Sequence, residues 1–167
     1  MYRSVADFKK FWAMETEKTR KIFDALTDQS LNQSVAGGHR TLGRIAWHIV
    51  TTIPEMAGRT GLTFNSVKHD APVPKRAKEI AEKFQAAADE VLSQISAKWN
   101  DDTLLVKDDM YGEQWPKGET LLVLQIHQTH HRGQMTVLMR QAGLNVPGAY
   151  GPSKEEWAAY GAPPPEI

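Results

Sequence analysis

Four long segments with apolar side chains at helical spacing constrain the fold of this 167-residue chain more than any other feature. They span residues 4–26, 41–54, 75–99 and about 118–143, and loops containing glycine or proline separate them. Residues that recur every three or four positions share one face of a helix, so each segment has one apolar stripe to bury. The pattern predicts an all-α, up-down four-helix bundle that forms a single domain, residues 1–167.

Local signals refine the ends of these helices. Ser4 and Thr41 each precede an apolar segment and are expected to cap its first turn. Pro54 is expected to kink the second helix or to end it one residue earlier, because proline lacks an amide donor. A short extended pair is expected around residues 104–106. Residues 153–160, "SKEEWAAY", predict a short C-terminal helix.

Composition excludes several classes of function. The chain has no cysteine, so a metal would have to be held by nitrogen and oxygen ligands. Twenty basic and twenty acidic residues cancel, which argues against a nucleic-acid or anionic-membrane partner held by bulk charge. The N-terminal stretch "MYRSVADFKKFW" has no apolar core like that of a signal peptide, and no segment resembles a membrane span. A cytoplasmic location is therefore expected.

Three of the six histidines lie in the fourth helical segment, at positions 127, 130 and 131. His127 and His131 are four residues apart, the spacing at which two imidazoles on one helix can share a metal ion. His130 is three residues from His127, and spacing alone does not choose between His130 and His131. His48, in an apolar stretch of the second helix, is the best candidate for a third ligand. Ordinary packing of hydrogen-bonded core histidines is the alternative.

Three stretches of the sequence resemble a known family. They are "TLGRIAWHI" in the second helix, the H-x-x-x-H-R-G-Q pattern that starts at His127, and "GPSKEEW" near the end. Together they resemble the DinB/YfiT-like superfamily of bacterial four-helix-bundle proteins, over nearly the whole chain. The resemblance implies that His48, His127 and His131 are metal ligands and that His130 occupies a variable position. It also implies a divalent ion, commonly zinc or nickel, and often a homodimer.

The resemblance leaves the reaction open. Some relatives are S-transferases or isomerases that use low-molecular-weight bacterial thiols, and others are described only as metal-dependent hydrolases. Either reading requires an open three-histidine site and a small-molecule substrate, because the metal would activate a water or a thiol at a free position. The alternative is a non-catalytic dimeric bundle with a structural or vestigial metal site.

Other residues near the expected ligands have two interpretations each. Glu55 lies seven residues after His48, roughly on the same helix face, so it is a weak candidate for the catalytic general base or a fourth ligand. A surface glutamate at a helix end is equally consistent. Arg132 and Gln134 could orient the ligands, although Arg132 could instead pair with a carboxylate on a neighbouring helix. Gly133 is expected to let two helices approach closely.

Overall fold

A computed structural model describes residues 1–166 and contains four long α-helices. They are α1 (Val5–Asp24), α2 (Leu42–Gly58), α3 (Ala77–Lys98) and α4 (Lys117–Gln141). A two-stranded antiparallel hairpin of β1 (Lys107–Met110) and β2 (Glu113–Pro116) lies between α3 and α4. The predicted all-α four-helix bundle is thus confirmed. The extended pair lies a few residues later than expected, because residues 102–105 form a 3-10 turn.

The two predicted helix caps are present. The Ser4 hydroxyl accepts a hydrogen bond from the Asp7 amide at 3.2 Å, and the Thr41 hydroxyl accepts one from the Arg44 amide at 3.2 Å. Each bond satisfies an amide that the first helical turn leaves without a partner. The helices α1 and α2 therefore begin at the residues after these caps, Val5 and Leu42.

Pro54 does not end the second helix, which continues to Gly58. A proline inside a helix costs about 3 kcal/mol. Its neighbours Ile53 and Met56 are 0% and 4% exposed, and burying a side chain of that size contributes about 1.5–3 kcal/mol. Core packing on both sides of the proline therefore outweighs its local cost.

The C-terminal helix is shorter than expected. It is a single 3-10 turn, Trp157–Tyr160, rather than an eight-residue α-helix. Half of the expected capping box is present, since the Ser153 amide donates to Glu156 Oε2 at 2.9 Å. Gly161, at φ +68°, ends the turn, and three prolines follow it, which cannot continue a helix.

The packing order of the helices places α2 beside α4. The helices α1 and α2 each pack against both α3 and α4, so α1 and α2 face each other across the bundle. Twelve of the 17 residues of α2 are buried, which makes this helix the centre of the core. Within residues 1–166, none of the helices is both long and apolar enough to span a membrane.

Candidate metal centre

Three histidines meet where α2 packs against α4. His48 projects from α2, and His127 and His131 project from successive turns of α4. One nitrogen atom from each ring lies within 4.8 Å of the corresponding atoms of the other two. The three rings pack edge-to-face, with centroids 4.4–4.9 Å apart. The structure thus brings together the three histidines that the sequence singled out, in positions suited to binding one metal ion.

The distances within this cluster fit a metal site. The Nε2 atoms of His127 and His131 are 3.1 Å apart. Imidazole nitrogens that bind zinc lie about 2.0–2.1 Å from it, so two of them are roughly 3.4 Å apart at a tetrahedral angle. Zinc, nickel and similar divalent ions all accept imidazole ligands. The chemistry and spacing of the donors therefore suit such an ion.

Hydrogen bonding within the protein satisfies only one of the two ring nitrogens of His127. Its Nε2 faces His131, and its Nδ1 is buried with no hydrogen-bond partner within residues 1–166. A buried polar atom without a partner costs about 1–3 kcal/mol, and such atoms are rare in folded proteins. Contacts among the described residues thus leave half of the hydrogen-bonding capacity of this buried ring edge unused.

The electrostatic environment keeps the cluster neutral. Burial is the largest cause that lowers the pKa of His48 and of His127 to about 4, and the neighbouring imidazoles and the Arg40 guanidinium act in the same direction. Burial also lowers the pKa of His131, although a hydrogen bond to Gln134 opposes it. The rings are therefore uncharged near pH 7, which is the form that donates a lone pair to a metal.

Gln134 holds the ring of His131 from behind. Its Oε1 lies 2.8 Å from His131 Nδ1, so the amide oxygen can accept a hydrogen bond from the Nδ1–H group, which leaves Nε2 free to face the cluster. The other end of the same amide, Nε2, lies 3.1 Å from His130 Nε2. His130 itself is exposed and lies outside the three-histidine cluster. The geometry therefore favours His131 over His130 as the ligand.

Glu55 is near the cluster but does not belong to it. Its carboxylate pairs with Arg59 at 3.1 Å and accepts a hydrogen bond from the Tyr111 hydroxyl at 2.7 Å. Burial and the nearby Glu55 carboxylate raise the pKa of Tyr111 to about 12, so the phenol stays protonated and donates. The charge of Glu55 also acts to raise the pKa of His127. This carboxylate is close enough to influence the cluster and is held by two other side chains.

Arg132 points away from the histidines and into the interface of α4 with α1. Its side chain is 2% exposed and forms an ion pair with Glu15 at 2.6 Å. The same guanidinium donates to the Thr19 hydroxyl at 2.8 Å and to the Tyr150 hydroxyl at 2.9 Å. Of the two readings of Arg132, the structure supports the pairing with a carboxylate on a neighbouring helix. Its predicted role in orienting the metal ligands is not supported by these contacts.

The expected close approach at Gly133 is wrong. A Cβ atom added there would meet nothing within 4 Å, because this face of α4 is exposed. The close approach occurs at Gly118 instead, where a Cβ atom would overlap the backbone carbonyl oxygen of Tyr2. The Tyr2 amide also donates to the Gly118 carbonyl at 3.0 Å. Gly118 thus lets the N-terminal residues cross the start of α4.

A cavity of about 500 Å³ opens beside His131. Its polar lining residues are His39, Arg40, His131 and Gln134. Sequence reasoning placed no functional residue in the loop before α2, and it missed Arg40. The only signal was position, since Arg40 immediately precedes the Thr41 cap of the helix that carries His48. The cavity gives a small molecule a place to bind next to the cluster.

Comparisons with known proteins agree on one family. A family model described as the DinB family matches residues 1–166. An uncharacterized protein of Bacillus subtilis strain 168, YrdA, is 45% identical over 167 residues, the full length of both chains. The crystal structure of a DinB-like protein from Bacillus cereus ATCC 10987 is 48% identical, with a TM-score of 0.87 over 90% of this chain and 100% of that one. A DinB-like protein from Bacillus subtilis, YjoA, is 13% identical and has a similar fold, with a TM-score of 0.67 over 86% of this chain and 96% of that one. The chain belongs to the DinB family.

Proposed function

We propose that this protein is a metal-dependent enzyme in which His48, His127 and His131 bind one divalent cation, zinc or nickel. The reaction is either hydrolysis or S-transfer with a low-molecular-weight thiol. The observation that carries the proposal is the approach of three neutral imidazole nitrogens to within 4.8 Å of one another at the α2–α4 interface. Three protein ligands are typical of catalytic metal sites, which keep a position open for water or substrate.

Different residues of the chain have different proposed roles at this site. A bound cation would supply Lewis-acid chemistry, which makes a water or a thiol more acidic at neutral pH. Gln134 fixes the tautomer and the orientation of His131. Glu55, whose charge acts on His127, is the candidate that takes the proton from the substrate or water. Tyr111 and Arg59 hold the Glu55 carboxylate in place.

Metal content tests the ligand assignment. Protein purified without an affinity tag is expected to contain about one divalent ion per chain by elemental analysis. His48→Ala, His127→Ala and His131→Ala are each expected to lose most of it. The matched control is His130→Ala, which removes a neighbouring exposed imidazole and is expected to keep the metal. Wild-type metal content in all three ligand variants would contradict the assignment.

Access to the metal separates an enzyme from a bundle with a structural or vestigial site. In cobalt-substituted protein, an open site is expected to change its visible absorption when 2-mercaptoethanol is added, because a free position can accept the thiolate. A site that is closed by protein ligands would give no change. That result would favour the non-catalytic alternative.

We also propose that the protein forms a homodimer. Phe11 and Met14 of α1 and Ile126 of α4 are exposed, and they line one open, mostly apolar cavity. Contiguous exposed apolar surface often marks an interaction site. Light scattering is expected to give twice the 18.7 kDa chain mass, and Ile126→Glu is expected to give the monomer mass. A monomeric wild-type protein would overturn this part of the proposal.

A further inference from the structure

The lining of the cavity beside His131 includes one arginine, Arg40. Arg40 and His131 line the same cavity, so a molecule that fills it touches both the guanidinium and one of the three clustered histidines. The lining includes no acidic side chain within residues 1–166. The Arg40 guanidinium is exposed and has no ion-pair partner among the described residues. The positively charged guanidinium of Arg40 is therefore free to bind an anion in this cavity.

Arg40 lies next to the histidine cluster. It lines the same cavity as His131, and it immediately precedes Thr41, the cap of the helix that carries His48. The nearby acidic group, Glu55, lies seven residues after His48 on α2, about 10 Å further along the helix at 1.5 Å per residue. Arg40 precedes His48 by eight residues. A molecule in the cavity is thus beside the Arg40 guanidinium, whereas the Glu55 carboxylate is not part of the lining.

The lining of the cavity contains two further polar side chains, His39 and Gln134, and is otherwise apolar. Its apolar wall is formed by Val35, Ile45, Val137 and Leu138. Ile45 and Leu138 are 6% and 4% exposed, so they form a fixed surface. Binding sites for small organic molecules typically combine such walls with a few polar groups that fix orientation. The cavity therefore suits a short carbon chain that carries a negatively charged group, which would bind Arg40.

We infer that the substrate of this site is a small organic anion, whose carboxylate or phosphate binds Arg40 while its reacting group faces the histidine cluster. The inference rests on the proposed function, since it names the class of substrate for the same metal site. Arginine suits this role because its planar guanidinium can donate two parallel hydrogen bonds to a carboxylate or phosphate. Arg40 acts here as a specificity-determining residue and takes no part in the reaction itself.

Matched thiols test the inference on cobalt-substituted protein. The probes are ω-mercaptoalkanoates of two to five carbons and the mercaptoalkanols of equal length, each titrated while the visible absorption is followed. For at least one chain length, the carboxylate is expected to bind about 10-fold or more tightly than the alcohol, the size of one charge-assisted hydrogen bond. Arg40→Gln is expected to abolish this preference, and Arg40→Lys to retain part of it.

The control is Arg20→Gln, which removes one positive charge from a residue that pairs with Asp24 on α1 and does not line this cavity. It is expected to keep the full preference. Equal affinity for carboxylates and alcohols in the wild-type protein would overturn the inference. So would a preference that survives in Arg40→Gln, because the carboxylate would then bind the metal. If neither kind of thiol changes the absorption, the open metal site itself is refuted, which is the failure of the proposed function.

Discussion

Replacing Arg132 with methionine tests whether this residue of the H-x-x-x-H-R-G-Q pattern stabilises the fold or supports the metal centre. Its guanidinium and the carboxylate of Glu15 are 2% and 9% exposed, and they lie 2.6 Å apart. Tyr150 also donates to this carboxylate at 2.6 Å, and Lys18 does so at 3.1 Å. Burial acts to raise the pKa of Glu15, but these donors together hold the pKa below its usual value. The carboxylate is thus charged inside the bundle.

Arg132→Met is expected to lower the free energy of unfolding by about 3 kcal/mol. Breaking a buried ion pair costs about 3–5 kcal/mol, because the remaining charge stays buried. The low end of that range applies here, since Tyr150 and Lys18 still donate to Glu15. For a chain of this length, each kcal/mol corresponds to about 2–4 °C, so the melting temperature should fall by about 6–12 °C.

Thermal unfolding of the metal-free protein, followed by circular dichroism, measures this change. Arg140→Met is the matched control, because Arg140 lies on the same helix but pairs with Glu155 at the exposed surface. Its loss is expected to cost less than about 1 kcal/mol. The second substitution Glu15→Gln in Arg132→Met is expected to restore part of the stability, since it removes the unpaired charge.

Metal binding decides between the two roles of Arg132. Folded Arg132→Met is expected to bind metal with wild-type affinity, because its guanidinium contacts α1 and Tyr150 rather than a histidine. An unchanged melting temperature combined with weaker metal binding would refute this reasoning and would place Arg132 in support of the ligands.

Three further outcomes are expected. Gln134→Leu should weaken metal binding by about 10–100-fold in a competition titration without unfolding the protein, because His131 loses the partner that orients it; unchanged affinity would contradict this role. For the metal-free protein, the free energy of unfolding measured in urea should decrease as pH falls from 6.5 towards 4. The reason is that the pKa of His48 is about 4 in the folded chain, so only the unfolded chain binds a proton at this residue in that pH range. His48→Phe should reduce this dependence of stability on pH, and a stability that increases as pH falls would contradict the reasoning. Gly118→Ala should destabilise the fold by about 1–3 kcal/mol, because the added Cβ atom would overlap the backbone of Tyr2. The control Gly133→Ala has open space around it and should be neutral or stabilising by about 0.5–1 kcal/mol. Equal effects of the two substitutions on the free energy of unfolding would refute the overlap at Gly118.

The helices and part of the site could be predicted from the sequence because the relevant interactions are local. Ser4 and Thr41 cap helices through amides three residues away. The spacing of His127 and His131 places both rings on one face of a single helix, whatever else the chain does. Such contacts depend only on the helical period and on neighbouring residues, so the linear sequence contains them.

Contacts between helices could not be predicted in the same way. Pro54 was expected to kink or end α2, and burial of its neighbours kept the helix intact beyond it. Whether Arg132 faced the metal or a carboxylate depended on the position of α1, which supplies Glu15. The hydrogen bond that holds the Glu55 carboxylate depended on the position of the hairpin turn, which carries Tyr111 in a backbone conformation with φ +61°.

The sequence by itself determined four amphipathic helices and a histidine pair on one of them. The tertiary structure decided that α2 lies beside α4, which brings His48 to the pair, and that Arg40 opens onto the same cavity. The physical reason is that an apolar stripe fixes which face of a helix is buried, but not which neighbour covers it. That choice depends on how well all four surfaces fit together, and only the packed bundle contains it.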